Sequence, residues 1–361
     1  MDNQKHICVV AGARPNFVKV SPLLRAFAKT KGVACCLIYV GREDDPTLEA
    51  SLFDDLQMSR PDVYLGVDCQ SLNEITAQVM GQLDLYLSQH STDVVIVVDD
   101  LASTMAAAIT AKKRGIKVAH LVAGTRSFDI SMPKEINRLV IDALSDYMFT
   151  AGIKSNSIAT REQQSETAQT YMVGNILMDT LRFNLPRFRK PDINVGDGDY
   201  LVLTLNRRVL LSDETLLKQI LKTLIDESGD TPIVAPLRGL ALGVVVRLLT
   251  ELGVSSSKFL GQSSLPYLEF GWLTAHASGI ITDSGNVAEE ATFNGVPCIT
   301  LNDYTEHQET VSVGTNVLVG GDVAKLSDAL QQLLRGEWKK AALPDRWDGR
   351  SAERIVQILL Q

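Results

Sequence analysis

Three stretches of this chain concentrate residues whose types and spacing suit chemistry. In GARPNFVKVSPL (12–23) an apolar run ends at Gly12, and Pro15 stands where a helix begins, its missing N–H costing nothing in the first turn. Arg14 and Lys19 then lie at or near a helix N-terminus, a natural place for a phosphate. The spacing is not GxGxxG, so a nicotinamide dinucleotide has no support; the plainer reading is a tight strand-to-helix turn with surface basic residues. In TDSGNVAEEATFNGVPC (282–298) a strand delivers Asp283, Ser284 and Gly285 to a helix start, whose N–H groups and the Ser284 hydroxyl can hold a diphosphate. Glu290 could accept hydrogen bonds from a ribose diol; the plainer reading makes Ser284 an N-cap and Glu290 a solvated helix residue. The third stretch, HLVAGTRSFDISMPKEINR (120–138), reads as a strand, a loop and a helix rich in polar residues, like the floor of an active site.

The elements that must position these residues alternate regularly. Apolar strand-like runs at 6–12, 33–41, 93–100, 117–124 and 147–151 are separated by amphipathic segments such as NFVKVSPLLRAFAKT and TMAAAITAKKRG. Continuous apolar strands between helices predict a parallel sheet covered on both faces. Residues 184–199, NLPRFRKPDINVGDGD, carry prolines, glycines and mixed charge without apolar period and read as a linker. The pattern restarts with strands at 200–206, 232–237, 279–285, 297–302 and 316–321. The expectation is α/β throughout: two doubly wound domains facing a cleft, over 1–183 and 200–345, with a final helix in 346–361 that could pack back on the first.

Bulk properties narrow the class. A chain of 361 residues exceeds one ordinary core, and 45% hydrophobic with 22% charged residues is ordinary globular composition. A net charge of −8 argues against a nucleic-acid partner, while local Arg and Lys still admit small anions. The five cysteines, Cys8, Cys35, Cys36, Cys69 and Cys298, have no metal-ligand spacing and are expected reduced and buried, with no metal bound. The start MDNQKHICVVAG lacks the pattern of a secretory signal, and no run of about 18 apolar residues is present. A cytoplasmic protein without a membrane span is therefore expected.

The motifs GARPNFVKVSPL, AGTRSFDISMPKEINR, VGNILMD and TDSGNVAEEATFNGVPC, collinear from Cys8 to RWDGRSAERIV, resemble the non-hydrolysing UDP-N-acetylglucosamine 2-epimerase family. The resemblance implies two Rossmann-like domains of the glycosyltransferase-B kind, UDP in the cleft, a homodimer, and neither metal nor nicotinamide cofactor. It implies a reaction in which UDP leaves the sugar, the C2 proton is removed to give a glycal, and both return with C2 inverted. Arg14 and Lys19 match the family's N-terminal basic pair, and Ser284, Gly285 and Glu290 its diphosphate and ribose contacts. Asp100, a family carboxylate close to the reacting sugar, matches too, as do Arg126, Glu135, Asn137, Arg138, Asn175 and Glu306.

The proton-transfer positions differ from the family's pattern. Val122 stands for the glutamate of HVEAG, Lys134 for the first glutamate of PEE, and Asn206 for a histidine. Arg238 replaces a second histidine, Arg42-Glu43 a Gln-His pair, and His307-Gln308 the Arg-Pro of TERP. Valine has no lone pair, an amide does not titrate, and lysine reverses the local field. Asp99 is an added carboxylate where the family has glycine, and an Asp99–Lys134 ion pair would explain two departures at once. His120 reads as a structural histidine; His307 is a candidate replacement acid or base, alongside Asp100, Glu135, Arg138 and Lys134. Asp99, Val122, Arg126, Asn206 and Glu306 complete the expected sugar pocket, and Arg238 joins the expected nucleotide contacts. The added cations Arg42, Lys134 and Arg238 suit an anionic sugar or acceptor, which puts glycosyl transfer from a UDP-sugar first. A C2 epimerase with relocated acid and base groups, and a non-catalytic UDP-sugar-binding subunit, are the alternatives.

Overall fold

A computed structural model describes residues 4–193, 199–255 and 258–361. The chain divides into two compact units, one of Met1–Phe183 with Asp345–Gln361, the other of Asn184–Pro344. Each is a parallel-sheet α/β layer structure of Rossmann-like type.

Among the described residues of the first unit the strands are β1 (Lys5–Ala11), β2 (Val33–Tyr39), β3 (Val63–Tyr64), β4 (Val94–Val98), β5 (Lys117–Leu121), β6 (Tyr147–Thr150) and β7 (Gln169–Met172). They lie in the order β3-β2-β1-β4-β5-β6-β7, all parallel, with Val9 of β1 between Leu37 and Ile96. The order reverses between β1 and β4, and a reversal of this kind opens a crevice at the strands' carboxyl ends. Every residue of β4, VVIVV, is buried, as two-faced cover by helices requires. The helix Arg14–Ala28 follows β1 with Pro15 in its first turn; Gly12 and Ala13 donate their N–H groups to Asn16 Oδ1 at 2.9 and 3.2 Å. Gly124, after β5, has φ +74°, and a Cβ there would collide with the Ser155 carbonyl oxygen, so this close passage requires glycine.

In the second unit the strands are β8 (Leu201–Thr204), β9 (Ile233–Leu237), β10 (Phe259–Ser263), β11 (Gly279–Thr282), β12 (Cys298–Thr300) and β13 (Asn316–Leu318), in the order β10-β9-β8-β11-β12-β13. The reversal now falls between β8 and β11. Part of the expected linker, Leu185–Arg187, is a short 3-10 turn, and residues 194–198 lie outside the described residues. The cysteines are all free, but the expectation of burial holds for Cys8 and Cys298 alone; Cys35, Cys36 and Cys69 are half-buried because β2 and the loop before Leu72 are less covered.

The C-terminal segment packs on the first unit. Trp347 is fully buried and donates its Nε1–H to the Ala151 carbonyl at 3.0 Å. The helix Ser351–Leu359 starts on Asp179, whose carboxylate accepts the N–H groups of Ser351 (3.0 Å) and Ala352 (2.8 Å). Asp179→Ala removes both acceptors and leaves two N–H groups without them, so stability falls by about 1–3 kcal/mol. Urea unfolding followed by circular dichroism measures this, and an unchanged midpoint rejects it.

Candidate functional site

In the first unit the matched residues gather where β4 and β5 end. Asp99 and Val122 follow these strands with φ +58° and +67°, and Phe128 has φ +61°. For a β-branched residue such as Val122 this is a strained conformation, held only because its surroundings fix it. The Asp99 N–H donates to the Leu121 carbonyl at 3.3 Å, and its own carbonyl lies 2.9 Å from His120 Nε2. His120 is buried, as a structural histidine should be, with Nδ1 at 2.6 Å from Asp142 Oδ1. Asp142 Oδ2 also accepts the Gly124 N–H (3.0 Å) and meets Arg126 Nη1 at 2.7 Å, while Arg126 Nε donates to Glu162 (2.9 Å).

Asp100 sits in a second, coupled set of charges. Arg138 donates to its Oδ2 from Nε (2.9 Å) and Nη2 (2.6 Å), and Lys134 Nζ lies 3.3 Å from Oδ1. Burial would push this carboxyl up, but Lys134 and then Arg138 outweigh it and hold it below the usual carboxylate range. Asn137 donates to the Asp100 carbonyl at 2.8 Å. Glu135, by contrast, is committed to structure: it accepts the N–H groups of Ser127 (2.8 Å) and Phe128 (3.1 Å), the Ser127 hydroxyl (2.9 Å) and Arg138 Nη1 (3.0 Å). Against burial, those donors hold its carboxyl low as well.

The expected Asp99–Lys134 ion pair does not form. Asp99 takes Lys19 Nζ at 2.6 Å and Asn16 Nδ2 at 2.8 Å, because its left-handed turn aims the carboxylate at the helix after β1. Lys134 goes to Asp100 instead. Arg14 faces Glu49 at 3.3 Å. Exposed Arg42 is neutralised by Asp44 (2.6 Å) and Asp68 (3.2 Å), so it is no available anion site.

In the second unit the Asn206 and Arg207 N–H groups donate to the buried Asp283 carboxylate at 2.8 and 2.7 Å, which joins the ends of β8 and β11. The Asn206 and Arg238 side chains are exposed at strand ends. Ser284 occupies the N-cap of the helix Gly285–Asn294 yet makes no side-chain cap bond; its N–H donates to Thr282 Oγ1 at 2.9 Å. Space beside Gly285 is open. Glu290 is buried, not solvated, as is Glu289, whose Oε1 lies 3.3 Å from His307 Nε2. Glu306 is half-buried in the loop before His307. Asn175, in the first unit, is buried and accepts the Leu177 N–H at 3.0 Å.

Asp142 and Asn16 escaped the reading of the sequence. A signal for the first existed: Glu135, Arg138 and Asp142 fall at i, i+3 and i+7, a polar stripe on the buried face of the helix Pro133–Leu144. Among the described residues no cluster of His, Cys, Asp and Glu could hold a metal ion, and no helix is long and apolar enough to cross a membrane.

Known proteins share this fold. The family model described as UDP-N-acetylglucosamine 2-epimerase matches residues 25–360. Over 370 residues the chain is 33% identical to the UDP-N-acetylglucosamine 2-epimerase of Methanocaldococcus jannaschii, covering 98% of each. It is 30% identical over 316 residues to the UDP-2,3-diacetamido-2,3-dideoxy-D-glucuronate 2-epimerase of Pseudomonas aeruginosa, 87% of this chain and 88% of that one. The crystal structure of the M. jannaschii enzyme in complex with UDP-GlcNAc and UDP matches with a TM-score of 0.85, covering 98% of this chain and 99% of that one. That likeness places the two Rossmann-like units in the glycosyltransferase-B class of folds.

The ion network predicts an acid limb of stability. Asp142, Asp100 and Glu135 all have folded-state carboxyls held below their ordinary values. Their contribution is complete above the unfolded-state value, about 4, and is lost as pH falls through the folded-state values. Asp142→Ala takes from His120 and Arg126 the buried carboxylate they share, and at neutral pH it costs about 3–5 kcal/mol. The deficit shrinks as pH falls through the lowered folded-state value of Asp142, where the wild type itself loses this term. Melting temperatures of both proteins across pH measure it, and a deficit that does not vary with pH rejects the assignment.

Proposed function

The chain belongs to the UDP-N-acetylglucosamine 2-epimerase family, and we propose that it binds a UDP-linked 2-acetamido sugar and acts on C1–C2 of that sugar as a 2-epimerase of reduced proton-transfer power. The observation that carries this is Asp100: a partly exposed, ionised carboxylate at a switch point of the sheet, aimed by Arg138 and Lys134. The second unit supplies the diphosphate end of the reading through the open helix start at Ser284–Gly285, and Glu290 the ribose contact. Departure of UDP from C1 needs anion stabilisation, which helix N–H groups provide. Removal of the C2 proton needs a base, and Asp100 is the carboxylate of this cluster not consumed by backbone N–H groups.

Glycosyl transfer, placed first from the sequence, is not supported. Of the added cations Arg42, Lys134 and Arg238 that favoured it, the first two are matched by carboxylates. The names of the relatives give transfer no support, and epimerisation fits them at least as well. Because Val122 and Asn206 cannot take or give a proton and Lys134 reverses a charge, turnover falls by about 10²–10⁴ for each acid or base missing. The homodimer implied by the resemblance and the cytoplasmic location expected from the sequence stay part of the proposal, and sedimentation velocity tests the dimer.

The deciding experiment incubates the protein with UDP-GlcNAc or UDP-ManNAc in D2O and follows deuterium at C2 by NMR. Slow uptake that Asp100→Asn abolishes is the expected result. UDP released only with an added acceptor returns transfer to first place, and tight binding without uptake or release makes the chain a UDP-sugar-binding subunit.

A second test restores the family's groups. The triple variant Val122→Glu, Lys134→Glu and Asn206→His should raise C2 exchange by about 10² or more. No gain in a folded variant means that the sugar pocket itself differs.

A further inference from the structure

Both cations after β1 face carboxylates, but the two pairs differ in kind. Arg14 meets Glu49 at 3.3 Å, and the Glu49 side chain is 46% exposed, so solvent screens that pair. Lys19 meets Asp99 at 2.6 Å with side chains only 7% and 18% exposed, and Asn16 adds a second donor to the same carboxylate at 2.8 Å. Asp99 is also fixed through its backbone. Its turn is left-handed, its N–H is held by the Leu121 carbonyl, and its own carbonyl faces His120. The carboxylate therefore cannot swing aside without breaking its bonds to both Lys19 and Asn16 of the helix Arg14–Ala28.

We infer that Asp99 is a built-in counter-anion to Lys19, and that it sets the resting affinity of this protein for a nucleoside diphosphate by competing for the lysine's charge. The inference rests on the UDP-sugar reading given above. A diphosphate approaching Lys19 meets an ammonium already matched, together with a fixed negative charge behind it. A fixed charge several ångströms from a diphosphate in a partly buried site moves affinity by a factor of about ten. The lysine is thus kept for orientation, and release of UDP is favoured over its retention.

The test is isothermal titration of UDP into the wild type, Asp99→Asn, Asp99→Gly and the double variant Asp99→Asn with Lys19→Met, each checked for folding by circular dichroism. Asparagine and glycine both accept a left-handed turn, so either single variant suffices if the other fails to fold. The expected result is UDP binding about tenfold tighter in the single variants, with the gain lost in the double variant. Single variants that bind UDP as the wild type does, or more weakly, overturn the inference while leaving the nucleotide reading intact. If no folded protein of the set binds UDP, the nucleotide reading itself falls, and this inference with it.

Discussion

The first unit's site hangs from one buried carboxylate, that of Asp142. It accepts from the Gly124 N–H and is bridged to His120 and Arg126, so one side chain fixes the end of β5, the loop beyond it and the helix Pro133–Leu144. Through His120 the same anchor reaches the Asp99 carbonyl and so the left-handed turn that separates Asp99 from Asp100. Removing two ions from water is costly, and such a cluster persists only when nearly every lone pair and N–H finds a partner. Here both Asp142 oxygens are engaged, and burial has been outweighed by the His120 hydrogen bond and charge and by Arg126. The strained backbone at Val122 and Asp99 is affordable because this network determines it from several sides.

How much of the fold was legible follows from where each strand lies. The runs at 6–12, 93–100 and 117–124 became interior strands, buried along most of their length and therefore mostly apolar. The sequence reading passed over β3, β7 and β10, and all three are edge strands. β3 has two half-buried residues, β7 one exposed and three half-buried, and β10 alternates. An edge strand needs cover on fewer sides, so it carries too little apolar signal to stand out from a loop.

In the site, residue types were legible and partners were not. Sequence separation cannot say that Asp99 turns to Lys19, because that depends on one φ angle at the end of β4. The same is true of Arg42, whose acidic partners include a residue 26 positions away. Glu290 was read as either a ribose contact or a solvated residue, and its burial removes the second reading. The backbone decides which charges neutralise one another.

Those pairings order the chemical barriers. A carboxylate held by two cations is a weak base, since basicity falls with the same interactions that keep it ionised. Asp100 is in that position, matched by Arg138 and by Lys134, where a glutamate would have repelled it and raised its proton affinity. Lys134 therefore weakens Asp100 as a base. The helix start at Ser284–Gly285 is untouched by this, because backbone N–H groups act without titrating. On the epimerase reading proposed above, loss of UDP from C1 is then the easier half of the reaction and proton removal at C2 the harder one. On that reading the substitutions shift the balance between two steps of one reaction, and the backbone N–H groups at Ser284–Gly285 are left unchanged.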